Sequence, residues 1–379
     1  MPATTFPTFA TSRQRGFTLV ELMVGLLLGL LTVLVISQVL ALAEGKKRSV
    51  AMGSDAQVNG ALSLFALQRD VQQAGYGATS SPDALGCTVK MKFDATSAVS
   101  TLTLAPVVIG GGVDATNGNS NTITVLQGRT SGFSAPIVLT GIHLQTDDHF
   151  TVSSSLGAVV NNMMVAVPKT QDSTTWCTLF SVTNDASSPA TTLSATNVPH
   201  VAGSGVKWNQ SSVFPPSGYI DGSYLLNMGS MVYRTYSIDS NNSLAVSELS
   251  PTTGATPATP SELYPQIVNL RAMYGKDTDG DGVVDTYDTV TPTTNAGWLQ
   301  VLAIRVAVVA RSNQYEKEVV TPGLPQWDVG ATATIAGTAT CNGTSKCITL
   351  NVDQLTDWQH YRYKVYDTVI PLRNVLWNS

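Results

Sequence analysis

From Leu22 through Ala43 the chain runs LMVGLLLGLLTVLVISQVLALA, 22 residues without a charge. At about 1.5 Å per helical residue this run spans the roughly 30 Å hydrocarbon core of a bilayer. In hydrocarbon an isolated segment satisfies its backbone only as a helix, so the run predicts one membrane-spanning helix. The residues before it hold Arg13 and Arg15, and an excess of positive charge keeps such a segment cytoplasmic and sends the carboxy-terminal bulk across the membrane. A secretory signal would place a small-residue cleavage site after its apolar stretch. Here polar, helix-forming sequence follows instead, and a plain signal anchor is the simplest alternative.

Beyond Lys46, Lys47 and Arg48 the helical pattern continues, with Val58, Ala61, Leu62, Phe65, Ala66, Arg69 and Gln73 at three-and-four spacing until Gly75 and Gly77 stop it. This stripe is expected to pack on the following domain. Gly25, Gly29, Gly45, Gly53 and Gly60 each lower helix propensity by about 1 kcal/mol relative to Ala. The organisation expected is a leader at 1–16, a helix at 17–76 with its transmembrane half at 22–43, and a domain at 77–379. The turn-rich segment 250–262 marks where that domain would divide if it has two parts.

After Gly77 the pattern changes to short alternating runs between Gly, Pro, Asn and Ser clusters. TLTLAPVVI (101–109), NTITVLQ (121–127), MMVAVP (163–168), CTLFSVT (177–183), SMVYRTYSI (230–238), SLAVSEL (243–249), QIVNLRAMYG (266–275) and LQVLAIRVAVVAR (299–311) read as strands. The expected class is α+β: a long hydrophobic helix followed by a mostly antiparallel β-sheet domain. With 12% charged residues, a net charge of −5 and a pI near 5.3, the chain offers no bulk basic surface for nucleic acid.

Residues 277–288 read DTDGDGVVDTYD, with Asp277, Asp279, Asp281, Asp285 and Asp288 at loop positions one, three, five, nine and twelve and Gly282 at six. A hard cation such as Ca²⁺ takes six to eight oxygens, and alternate carboxylates plus the Val283 carbonyl on a tight turn supply that kind of donor set. The flanks alternate like strands rather than helices, so the ion's expected role is structural. A merely solvated acidic turn is the alternative.

Cys87, Cys177, Cys341 and Cys347 include no CxxC, and the four His residues are scattered, so zinc spacing is absent. In an exported chain disulfides are expected. Cys341 and Cys347 enclose a five-residue polar turn and form the easiest bridge, leaving Cys87 with Cys177, although the other pairings and free thiols stay open. No nucleophile elbow, HExxH or P-loop occurs, so an enzyme is not expected. Asp353, Asp357 and His360 read as a polar face, and Trp358, Tyr361, Tyr363, Tyr366 and Trp377 as core or subunit-contact aromatics.

The string RQRGFTLVELMVGLLLGLL closely resembles the cleavage and methylation motif of type IV prepilins. The resemblance implies that a prepilin peptidase cuts after Gly16 and methylates the new amino terminus, Phe17. A carboxylate in an apolar span costs a few kcal/mol without a partner, and by this resemblance Glu21 would pair with a neighbouring subunit's amino terminus and set axial register. A snorkelling interfacial Glu is the alternative. The strings LQRDVQQAGYG, CTLFSVT, YGKDTDGDGVVDTY and HYRYKVYDTVIPLRNVLWN are similar to the PilW type of minor pilin. That implies a type IV pilin-like subunit, held in the inner membrane with a periplasmic carboxy-terminal domain and then assembled into a surface pilus, where it initiates the fibre or sits at its tip. Its partners would be other minor pilins, the major pilin, the inner-membrane assembly platform and a tip adhesin. The competing functions are a large pseudopilin of type II secretion and a calcium-dependent adhesin or hydrolase on a pilin-like anchor.

Overall fold

The computed structural model describes all residues except 1–15, 113–118, 131–133, 173, 204, 251–252, 255–258, 336–338 and 377–379. Most of the expected leader, part of the 250–262 segment and Trp377 thus lie outside the described residues. The chain divides into two units, Met1–Gly53 and Ser54–Ser379.

The first unit is helical. Helix α1 is assigned over Leu19–Gln73, and its apolar candidate span runs Leu19–Gly45. Every residue from 16 to 45 is exposed within the chain. A helix that is apolar all round has no inward face, and such a surface belongs in a membrane or among other helices.

The second unit contains the last turns of α1 and three principal sheets. A six-stranded sheet includes Thr88–Met91, Met163–Val167, Cys177–Ser181 and Tyr224–Gly229. One five-stranded sheet is wholly antiparallel, with Val232–Ile238 at its centre. The other is built on Ile267–Lys276, Val301–Arg311 and Tyr363–Pro371, paired antiparallel. Both five-stranded sheets contribute to the core beneath α1, where Leu67, Val71 and Ala74 meet Ile123, Leu270, Ile304 and Ile370.

The face that α1 buries is not the expected stripe. Val58 is 52% exposed, Leu62 44% and Phe65 63%, whereas Ala56, Gly60, Ser63, Leu67, Asp70, Val71 and Ala74 are buried. Small residues let the helix backbone approach the sheet: a Cβ on Gly60 would collide with the Tyr366 ring. Asp70 is buried because it is fully used, accepting from Arg234 Nη1 at 3.0 Å and Tyr236 Oη at 2.6 Å, while Arg234 Nε also reaches Glu248 at 2.6 Å. Helix α1 ends at Gln73, and Gly75 and Gly77 follow with φ of +83°, a region glycine enters without cost.

One expected strand is two. Residues 101–109 split into Ser100–Thr103 in the six-stranded sheet and Val107–Gly111 in the antiparallel one. Pro106, lacking an N–H, sits in the crossing between the sheets.

Candidate functional site

The helix start is a reciprocal cap. Thr18 N–H and Thr18 Oγ1 both donate to Glu21 Oε2 at 3.0 Å, and Glu21 N–H donates back to Thr18 Oγ1 at 3.2 Å. This is the Thr-x-x-Glu capping box, which satisfies donors that a helix terminus otherwise leaves open. The signal was present in FTLVE, but the expected role of Glu21 rested on pairing between subunits rather than within its own first turn. Gly16 has no neighbour near a would-be Cβ and Phe17 is 89% exposed, so nothing else in the described chain covers the Gly16–Phe17 bond.

The acidic loop leaves the strand Ile267–Lys276 and returns through the short strand Thr286–Asp288. Its turn depends on Gly280 and Gly282, with φ of +82° and +84°. Asp277 accepts from Gly280 N at 2.6 Å and Gly282 N at 2.8 Å, and Asp285 accepts from the amide and hydroxyl of Thr278, both at 2.7 Å. Burial pushes the Asp277 carboxyl up, but those backbone N–H groups outweigh it and hold the group below its ordinary range; the Thr278 hydroxyl does the same for Asp285. Asp277, Asp279 and Asp285 each place an oxygen within 4.8 Å of the others, beside an open concavity of about 590 Å³. Three carboxylates this close provide the kind of hard donors that a divalent cation takes.

The rest of the expected donor set is placed otherwise. Asp288 pairs with Lys276 Nζ at 2.8 Å and accepts from Val290 N, so this carboxylate belongs to a strand-edge ion pair rather than to the cluster. Asp281 accepts from Val283 N at 2.8 Å and stands outside the three-carboxylate group, and the Val283 side chain is 62% exposed.

Cys87 is bridged to Cys177 and Cys341 to Cys347. The first bridge lies where Thr88–Met91 runs parallel to Cys177–Ser181, a pairing that closes 90 residues of chain. Two histidines that looked scattered meet in the interior. His143 Nε2 and His200 Nε2 are 2.8 Å apart, His143 stacks on Phe150 with ring centroids 3.9 Å apart, and both residues are at most 2% exposed. Burial lowers the His143 pKa to about 4 and that of His200 well below its ordinary value. Their separation of 57 residues gave no sequence signal. His360 instead bonds to the Glu316 carbonyl at 2.8 Å and stacks on Tyr315.

Residues 11–37 match the family model of the prokaryotic N-terminal methylation motif, and residues 235–374 match that of the type IV pilus-assembly protein W. The second match covers the acidic loop and the strands on either side of it. No curated protein and no solved structure matches the chain.

Proposed function

We propose that this chain, a PilW-type prepilin-like pilin, is a minor structural subunit of a type IV pilus that helps start the fibre or occupies its tip. The observation that carries this reading is the surface of α1 from Leu19 to Gly45, which is apolar on every side and which no part of the described chain covers. Lipid covers such a surface before assembly and the helices of other subunits cover it afterwards. The large, disulfide-braced domain is more elaborate than a repeating shaft subunit requires. Cleavage after Gly16 frees Phe17 immediately before the Thr18–Glu21 cap, so a neighbour's amino terminus has to compete with that cap for the Glu21 carboxylate. In the same proposal Asp277, Asp279 and Asp285 hold a structural Ca²⁺ that fixes the connection between the strands Ile267–Lys276 and Val301–Arg311.

Mass spectrometry of the protein from cells should give methylated Phe17 as its first residue, and an uncut amino terminus would sink the processing step. Deletion should abolish twitching motility while leaving exoprotein secretion intact, with the reverse outcome assigning the chain to a type II pseudopilus. Calcium should raise the melting temperature of the parent but not of Asp279→Asn. An unresponsive parent removes the ion from the proposal.

A further inference from the structure

An open sheet ends in strands whose outer N–H and C=O groups face no neighbour, and such edges pair with other chains unless they are guarded. Of the six outer strands described in the three principal sheets, five are guarded. Ser100–Thr103, Ile137–Val138 and Ala333–Thr334 are two to four residues long. In Val107–Gly111 the chain itself serves Ile109, whose N–H donates to Tyr274 Oη at 2.7 Å and whose carbonyl accepts from Thr291 Oγ1 at 3.3 Å. Ser261–Pro265 carries a register break, ends in proline and gives its last carbonyl to Asn59 Nδ2 at 3.2 Å.

The sixth, Tyr363–Pro371, is nine residues long and paired on one side only, with Val301–Arg311. Leu372 N–H donates to the Leu302 carbonyl and Ser312 N–H to the Arg362 carbonyl, so the even-numbered residues turn their backbone groups inward. Those of Tyr363, Val365, Asp367 and Val369 point out from the edge and meet no partner among the described residues. The two charges that would blunt this edge are occupied. Asp367 pairs with Arg305 Nη2 at 3.0 Å and accepts from Trp327 Nε1 at 3.2 Å, and the Lys364 ammonium lies 5.2 Å from the Tyr366 ring centroid. Val369, on the same strand, is 45% exposed.

A row of backbone donors and acceptors at two-residue spacing is complementary to another extended strand. We infer that its occupant is the same strand of a second copy of this chain, running antiparallel so that one sheet continues into the other. The registers are few, because outward residues have to face outward residues. Centring the pair on Lys364 opposes two lysines, and centring it on Asp367 opposes two aspartates; like charges directly opposite each other are unfavourable. Centring it on Val365 or Thr368 leaves part of the outward row unmatched. Centring it on Tyr366 matches all of it: Tyr363 faces Val369 and Val365 faces Asp367, twice over, while Lys364 faces Thr368 and the two Tyr366 rings face each other. Aromatic and β-branched side chains make favourable cross-strand pairs, and Tyr363 of one copy covers the exposed Val369 of the other. The chain's own strand thus satisfies every open group of its twin without opposing like charges.

The native cysteines are all bridged, so introduced thiols are the only free ones. The full chain in detergent, carrying Lys364→Cys with Thr368→Cys, should oxidise to a covalent dimer, because these positions face each other at the close spacing of a pair without hydrogen bonds. Phe65→Cys, exposed on α1, should link at least tenfold less. Val369→Pro removes an outward N–H and no inward bond, so it should turn a sedimenting dimer into a monomer at an unchanged melting temperature. A benzophenone side chain in place of Val369 should give, in cells, an adduct of twice the chain's mass. A parent that sediments as a monomer overturns the inference. So does Phe65→Cys linking as readily as the strand pair, or a benzophenone adduct with a different protein, which would assign the edge to a foreign strand. Should Val369→Pro lower the melting temperature, the cysteine pair decides alone. The result is independent of whether the chain initiates a fibre.

Discussion

The two stretches of α1 bury their side chains by opposite rules. Between Leu19 and Gly45 nothing is covered and Leu and Val face all directions. Between Ala56 and Ala74 the covered face is made of Ala, Gly, Ser and one Asp around Leu67 and Val71, while Val58, Leu62 and Phe65 point outward. Hydrophobicity therefore identifies what the first stretch needs but misleads about the second. Where a helix lies close on a sheet, backbone approach and satisfied polar groups help decide the buried face, and large apolar side chains such as Phe65 and Leu62 are left outside it.

The sharpest way to break this comparison is to truncate one leucine in each stretch. All six Trp residues lie beyond α1, so their fluorescence reports on the domain alone during urea unfolding of the full chain in detergent. Leu67→Ala, at a site with no exposure, should destabilise the domain by about 3 kcal/mol. Leu27→Ala, 62% exposed, should leave it within about 0.5 kcal/mol. Equal effects would mean that the first stretch also packs on the domain.

Asp70→Ala should cost about 2 kcal/mol, because it strands Tyr236 and leaves Arg234 with only Glu248. A neutral outcome would show that small residues alone seat the helix. Acid should loosen the domain without touching the apolar stretch. An unfolded histidine binds its proton near pH 6.5 and folded His143 only near about 4, so the unfolded chain holds more protons in between. Stability from the buried pair is thus complete above pH 6.5 and falls as pH drops toward 4, by up to about 1.4 kcal/mol per unit for one site. A flat profile in that window would mean that His143 and His200 are not held neutral together. Smallest of all, Phe65→Ser should move domain stability by less than about 0.5 kcal/mol, since its side chain faces outward.

Much of this molecule was legible in its order of residues. The uncharged run, the glycines that stop the helix and the alternation within 232–238, 267–276 and 301–311 all act through near neighbours. The prepilin resemblance in RQRGFTLVE likewise matches the methylation-motif match at 11–37. What escaped depends on distant partners. The buried face of α1 is chosen by Ala310 and Tyr366, more than 240 residues away, and the pair His143–His200 exists only after folding. The acidic loop falls between: its spacing placed Asp277, Asp279 and Asp285 together, but the strand pairing that carries Asp288 to Lys276 lay outside any local pattern.

The seat of α1 also imposes an order of events. The helix end is held by Asn374, 300 residues later in the chain, and its core is closed by Ile370 and Leu372. During synthesis the helix is made some 300 residues before the strand that completes its groove. Contacts across so long a separation carry a large loop-closure cost and form slowly. The helix is therefore made long before its seat, and a chain stopped short of Ile370 would leave Leu67 and Val71 uncovered.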